Sequence, residues 1–522
     1  MSASREKQAR REQASSGVFS PKTAQEAKAR KEERRNNILY ALIGIVLLII
    51  VVCSAVWNSN IIPRVATAVS AAGKNYTAAQ TDFYYHTNAN STINRWGYMA
   101  SYIGLNTGAA LDVQNVSEST AELLDTEPGI TWAEYFLQKG IEQMVSVDAA
   151  LAQAKAENYT FSDTVDTDLQ ELIQDMTSTA GANGLSLGQY LKATVGSSVT
   201  ESLYRTEMRR YLQYQEFATH YNDSLTYTEE ELEAAYQEDP DSYDLVSYQT
   251  VFVHGEAEAT EDEDGNTVEP TEEESAAAME AAKARAEEIL AAYQAGETLE
   301  SLANGDENVY YYSSDGETKD NLGEDLGGWL YDSARQAGDI DIIPLESGYY
   351  VAVFLGRGRD EQKTIDIRHI LIRPEEGELT SEDEGYEEEQ ETLNAAAEAK
   401  AQEIYQEWKD GEATEESFAA LAMEYSDDGN ASDGGIYRQV YEGQMVPTFN
   451  DWGFDPARKP GDNGIVETDY GFHIMYYVSD DQPRWMTQVS DDLKTKDFSD
   501  WSESLYADAN ITRHSFGMSF VE

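Results

Sequence analysis

The sequence predicts an α+β chain in which a single N-terminal transmembrane helix leads into a helical module and two tandem α/β domains, the first a degenerate copy of the second. Three observations carry this. Ile38 to Trp57 is a twenty-residue run without a charged side chain, long enough to cross a hydrocarbon core of about 30 Å as a helix. Helical amphipathic periodicity then dominates from about Asn75 to Tyr243. From there on one pattern occurs twice: a β-type run, a glutamate-rich loop, a long helix and a closing β-type run.

A chain of 522 residues exceeds one ordinary core, so several domains are expected. The boundaries read as a basic tail over 1–37, the span over 38–57, the helical module over 58–243, the first α/β copy over 244–360, the second over 364–480, and a helical tail over 481–522. A formal net charge of −60 excludes nucleic acid as a partner, because backbone phosphate is bound by clustered Lys and Arg. The tail runs against this balance, with ten Lys or Arg against five Glu in residues 1–37.

Arg30, Lys31, Arg34 and Arg35 lie just before the apolar run and place the N-terminus in the cytoplasm. The acidic bulk is then extracytoplasmic, on a single-pass anchor in the cell membrane. A cleaved signal peptide fits less well: the basic lead is long, the apolar run exceeds a usual signal core, and no small-residue cleavage box follows. Cys53, the sole cysteine, sits within the span, so the exported part folds without disulfides.

In the helical module the stretches Trp132 to Lys155 and Val199 to Tyr221 are amphipathic, and Tyr84, Tyr85, Tyr204, Tyr211 and Tyr214 read as core. His86 and His220 lack a ligand-spaced partner. No metal and no cofactor is expected. The turn Ser426-Asp427-Asp428-Gly429-Asn430 lacks the remaining oxygen ligands of a calcium loop, and no nucleophile elbow surrounds Ser426.

The two copies align through their helices. Ala282 to Ile289 with Gly296-Glu297 corresponds to Ala397 to Ile404 with Gly411-Glu412, and Ser347-Gly348-Tyr349-Tyr350 parallels Tyr470-Gly471-Phe472-His473. Polar positions differ. Where the second copy has His369 and His473, the first has Thr250 and Tyr350, and His254 lies too near its strand's end to substitute. The first copy is therefore expected to be catalytically silent, serving as spacer and client contact.

In the second copy four strings follow in order: Arg368-His369-Ile370-Leu371, Tyr425-Ser426-Asp427-Asp428, Gly443-Gln444-Met445-Val446-Pro447-Thr448-Phe449, and Tyr470-Gly471-Phe472-His473-Ile474. Their order and spacing resemble the parvulin (PpiC-type) family of peptidyl-prolyl cis/trans isomerases. The helical module ahead of them is similar in layout to that of the SurA/PrsA-like envelope foldases. The resemblance implies that His369 and His473 form paired imidazoles beneath the substrate amide, linked to Thr468 or the Tyr470 hydroxyl. They either take part in the chemistry or hold the pocket's shape. Asp428 would occupy the family's Cys-or-Asp position as the third catalytic group. Met445 and Phe449 would grip the prolyl ring, with Tyr437 at a position usually aliphatic.

Gly434-Gly435-Ile436-Tyr437-Arg438 departs from the common family form at the pocket rim. The acidic loop Glu375 to Glu391 is the opposite of the basic loop with which phosphate-directed relatives select their substrates. The expected function is that of a membrane-tethered extracytoplasmic isomerase and chaperone for unfolded exported polypeptides with X-Pro bonds. The alternative is a non-catalytic holdase that uses the same domains to bind clients. Trp485, Leu493, Phe498, Trp501 and Leu505 give the C-terminal tail an apolar side expected to pack back on the helical module.

Overall fold

The structure, a computed structural model, describes residues 3–15, 31, 42–43, 45–51, 54, 60–257, 259–261 and 267–521. Half of the expected span Ile38–Trp57, Cys53 included, falls outside these residues. Among the described residues no helix is long and apolar enough to cross a membrane. The chain forms two compact units, residues 1–224 with 497–522 and residues 225–496.

In the first unit Thr77 opens the helix Ala78–Trp96 with a capping box: its hydroxyl accepts from the Gln80 N–H, while Gln80 Oε1 accepts from the Thr77 N–H. That helix packs on Trp132–Ala156, and Gly140 lets them approach closely, since a Cβ there would stand 2.8 Å from the Tyr85 backbone. Tyr84, Tyr85 and Tyr204 are buried, and Tyr211 and Tyr214 pack partly buried against the core. Strands, unread in the sequence, also occur here. Strand β1 (Thr67–Ala71) pairs with β2 (Lys74–Thr77) on one edge and with the C-terminal strand Thr512–Arg513 on the other. Trp501 stacks on Tyr221 at 4.4 Å and donates its indole N–H to Gln153 Oε1 at 3.0 Å.

Two expected boundaries shift. The helix Glu229–Glu238 belongs to the second unit, because Leu232 and Tyr236 pack on the fully buried Trp485 and on Val489. The C-terminal tail is divided within the helix Arg484–Ala507. Trp485 and Leu493 serve the second unit, while Phe498, Trp501 and Leu505 pack in the first.

The second unit holds two four-stranded antiparallel sheets. One comprises β3 (Asp244–His254), β6 (Val309–Glu317), β7 (Ile340–Leu345) and β8 (Gly348–Arg359); a small ribbon, β4 (Thr260–Glu261) and β5 (Thr267–Val268), stands apart. The other comprises β9 (Lys363–Ile372), β10 (Ile436–Val440), β11 (Asn463–Thr468) and β12 (Gly471–Pro483). Their spatial orders, β6-β3-β8-β7 and β10-β9-β12-β11, match strand for strand. A long helix covers one face of each, burying Ala282, Ala286 and Ile289 from Glu272–Gln294, and Ala397, Ala401 and Ile404 from Tyr386–Asp410.

Strand alternation sets what lies on the opposite face. In the second sheet Ile370, Ile372, Phe472 and Ile474 face the long helix. Ile367, His369, His473 and Met475 therefore point the other way, toward the short helix Pro447–Gly453, whose Phe449 is buried against them.

Candidate functional site

His369 and His473 sit on the two central strands. The antiparallel register sets His369 opposite Met475 and Leu371 opposite His473, so the imidazoles are diagonal neighbours on one face. Both are buried, at 2% and 5% exposure. Their rings lie 5.1 Å apart at 17°, with Nδ1 facing Nδ1 at 2.9 Å, so one donates a proton and the other accepts it.

Asp428 reaches this pair from the turn after the helix Glu415–Tyr425. The turn is stitched to β9: the Asp427 N–H donates to the Leu371 carbonyl at 2.8 Å, and Ser426 Oγ accepts from the Leu371 N–H at 3.1 Å. Asp427 turns aside to accept the Arg373 N–H, while Asp428 Oδ2 lies 2.9 Å from His369 Nε2. At the other end Thr468 Oγ1 stands 2.8 Å from His473 Nε2 and accepts the Tyr470 N–H at 3.1 Å. Of the two alternatives, it is therefore Thr468 that joins the row. Tyr470 lends its backbone, and its side chain is 55% exposed.

Tyr437, on the edge strand β10, adds a member. Its hydroxyl donates to the same Asp428 Oδ2 at 2.7 Å, and its ring lies 5.2 Å from that of His369 at 28°. The strand can come this close only because of Gly435. With φ +68°, Gly435 accepts the His369 N–H at 2.8 Å, and a Cβ there would stand 2.1 Å from the His369 carbonyl oxygen. Phe449 meets both imidazoles edge-on at 5.5 Å, and Met445 packs partly buried beside Tyr437 and Phe449.

The result is an apolar wall of Tyr437, Met445 and Phe449 beside a continuous polar row, Tyr437–Asp428–His369–His473–Thr468. The hydrogen bond from His369, joined by that from Tyr437, holds the Asp428 carboxyl well below the usual carboxylate range against the opposing effect of burial. Burial, and then the Asp428 carboxylate, push Tyr437 up to about 12. Burial, and then the charge of His369, push His473 down to about 4. Among the described residues no group of three or more His, Cys, Asp or Glu is placed to hold a metal ion.

The sequence drew attention to Ser426 and Gly435 without giving either its role here. Ser426 is the hydroxyl that pins the Asp428 turn, and its readable signal was a serine two residues before an aspartate after a helix. Gly435 is legible only once its strand partner is known.

The first sheet holds a different set at the matching register positions. Thr250 stands for His369, Tyr350 for His473, Ser314 for Tyr437 and Leu345 for Thr468. His254, half-exposed, lies 3.4 Å from Glu256 instead.

Comparison with known proteins gives the same region a family. Residues 350–481 match the model of the PPIC-type PPIASE domain, a match that begins in β8 and runs through β12. The chain is 26% identical to the Chaperone SurA of Chromohalobacter salexigens over 354 residues, which is 64% of this chain and 71% of that one. It is 22% identical to the Chaperone SurA of Burkholderia lata over 387 residues, 70% of this chain and 76% of that one. Among solved structures, PrsA from Bacillus subtilis is 15% identical, covering 76% of this chain and 92% of its own, with a TM-score of 0.25. A PpiC-type peptidyl-prolyl cis-trans isomerase domain is 22% identical, covering 24% of this chain and 95% of its own, with a TM-score of 0.19.

Proposed function

We infer that this chain, whose residues 350–481 match the PPIC-type PPIASE domain, is a parvulin-type foldase akin to the SurA chaperones and acts on X-Pro bonds of unfolded exported polypeptides. The observation that carries the reading is the polar row of His369, His473, Asp428 and Thr468 beside a wall of apolar side chains. Rotation about an X-Pro amide loses resonance and crosses a barrier of about 18–20 kcal/mol. No substrate bond is broken, so the catalyst has only to bind the twisted amide better than either planar form. A thousandfold acceleration needs about 4 kcal/mol of such preference.

Met445, Phe449 and the Tyr437 ring suit the prolyl ring, which would sit against them while the carbonyl turns over the imidazole row. Asp428, held as a carboxylate, would raise electron density near the carbonyl carbon and weaken the C–N double-bond character. His369 and His473 supply a preorganised dipolar row that needs no rearrangement as the charge shifts.

Replacement of both imidazoles, by Thr250 and Tyr350, with Ser314 in place of Tyr437 and Leu345 in place of Thr468, supports a silent first copy that holds client chain. The SurA likeness and the charge divide at the N-terminus support an extracytoplasmic location. The apolar run Ile38–Trp57 supports single-pass tethering, and its described residues stand uncovered, Leu48 at 63% exposure. The decisive assay is prolyl isomerisation of an unphosphorylated tetrapeptide by the full chain and by folded Asp428→Ala and His473→Ala variants. Activity that collapses with Asp428→Ala supports the enzyme. No activity, with client aggregation still suppressed, establishes the holdase instead.

A further inference from the structure

We propose that Tyr437 is a positioning residue: by donating its hydroxyl to Asp428 Oδ2 it fixes the direction in which protons are ordered along the row from Thr468 to Asp428. The inference rests on the isomerase reading for its kinetic consequence, and on geometry alone for its structural one.

One oxygen, Asp428 Oδ2, accepts the Tyr437 hydroxyl at 2.7 Å and faces His369 Nε2 at 2.9 Å, which donates to it when Asp428 is ionised. A carboxylate satisfies both at once. A carboxylic acid protonated on that oxygen could give its single proton to only one of them. The Tyr437 hydroxyl binds the charged oxygen more strongly than the neutral one and so holds the charge at this end of the row.

The rest of the order follows from hydrogen-bond complementarity. With Asp428 ionised, His369 carries its proton on Nε2, and a neutral His369 presents a bare Nδ1. The 2.9 Å contact between the two Nδ1 atoms then requires that His473 donate. His473 is left with a bare Nε2, which accepts the Thr468 hydroxyl at 2.8 Å. Each bond thus has one proton, and the row has one polarity, with its negative end under Tyr437. Were Asp428 protonated and donating to His369, every proton in the row could reverse.

The other charged groups close by do not compete for Oδ2. On the turn, Asp427 faces away to the Arg373 N–H. The Arg373 side chain, at the end of β9, is felt electrostatically by His473, as are His369 and Asp428. From β10 Tyr437 alone bonds Asp428, and from β12 His473 meets Asp428 only through His369. Tyr437 is also the member whose hydroxyl and ring act separately. The ring, stacked beside His369 and packed with Met445 and Phe449, serves the apolar wall, and the hydroxyl serves Asp428.

This separation gives the test. Tyr437→Phe keeps the ring and removes the hydroxyl. In the full chain it is expected to lower kcat/KM about tenfold at neutral pH, to move the acid limb of the pH profile up by about one unit, and to leave KM within about twofold. On an Asp428→Asn background the same substitution is expected to change nothing further, because its effect passes through the carboxylate. Imidazole nitrogen NMR supplies a readout independent of activity. The native chain should show His369 protonated on Nε2 and His473 on Nδ1, and Tyr437→Phe should show mixed tautomers or a displaced titration of the pair.

Unchanged tautomers and titration in Tyr437→Phe would overturn the proposal, as would a kinetic effect that persists in full on the Asp428→Asn background. A native chain without isomerase activity would remove the proposed function, while the NMR comparison would still decide the role of Tyr437. Should Tyr437→Phe fold poorly, Tyr437→Leu on the native and Asp428→Asn backgrounds answers the same question of coupling.

Discussion

Acid should loosen the second sheet through a single buried imidazole. The folded His473 has its pKa pushed down to about 4, whereas an unfolded imidazole titrates near 6.5. Between those values the unfolded chain binds the proton and the folded one does not. The His473 contribution is therefore fully present above about pH 6.5 and is lost as the pH falls toward 4. A difference of about 2.5 pH units corresponds to roughly 3 kcal/mol at the limit, with somewhat under half of it gone by about pH 5.5. Asp428, whose folded pKa is also depressed, loses its contribution in the same direction but only below about pH 4, so the two can be separated. The assay is native-state hydrogen exchange of peptides from β9 and β12, corrected for intrinsic rates, at pH 7.5 and 5.5. His473→Asn serves as the reference because it cannot titrate. Protection should fall more in the native chain than in the variant, and parallel losses would refute the reasoning.

Two further outcomes follow from packing. Gly435→Ala should destabilise the second sheet by about 3 kcal/mol or more, combining the left-handed backbone penalty with loss of the bond from the His369 N–H. Urea unfolding followed at Trp408 and Trp452, which pack in the two clusters flanking that sheet, would read this, and a change below about 1 kcal/mol would show that β10 can shift away without cost. Trp485→Ala should cost about 3–5 kcal/mol in the second unit by opening the space between Leu232, Tyr236 and Val489. Exchange in the helix Glu229–Glu238 is expected to rise first.

The sheets were legible because their signal is local. Each histidine sits in a short β-type apolar run, and the repeated Gly-aromatic start of β8 and β12 sets Thr250 against His369 and Tyr350 against His473, which also occupy matching register positions. The site residues His369, Asp428, His473, Thr468, Met445, Phe449 and Tyr437 gather at one face of the second sheet, the strand members through parity, Asp428 through its turn, and Phe449 through the short helix packed on that face. What escaped was non-local. Nothing near Thr67 announces that its strand mate lies at Thr512, and periodicity cannot say that one amphipathic helix, Arg484–Ala507, serves two units. The Tyr470 hydroxyl and Thr468 were equally good candidates in sequence. The tight turn between β11 and β12 decides between them, leaving the tyrosine ring in solvent.

The pairing of β1 with a strand from the far end of the chain has a consequence for biogenesis. Val69 and Ser70 meet Arg513 and Thr512, and the Ala68 carbonyl accepts the His514 N–H at 2.8 Å. During synthesis at about 5–20 residues per second, the roughly 270 residues of the second unit must be made before that edge is covered, a wait of tens of seconds. Until then the first unit presents an open strand of the kind that recruits other chains. A ribosome that stalls anywhere before residue 512 leaves a polypeptide whose first unit stays open, so that closure of this edge reports that the whole second unit has been made.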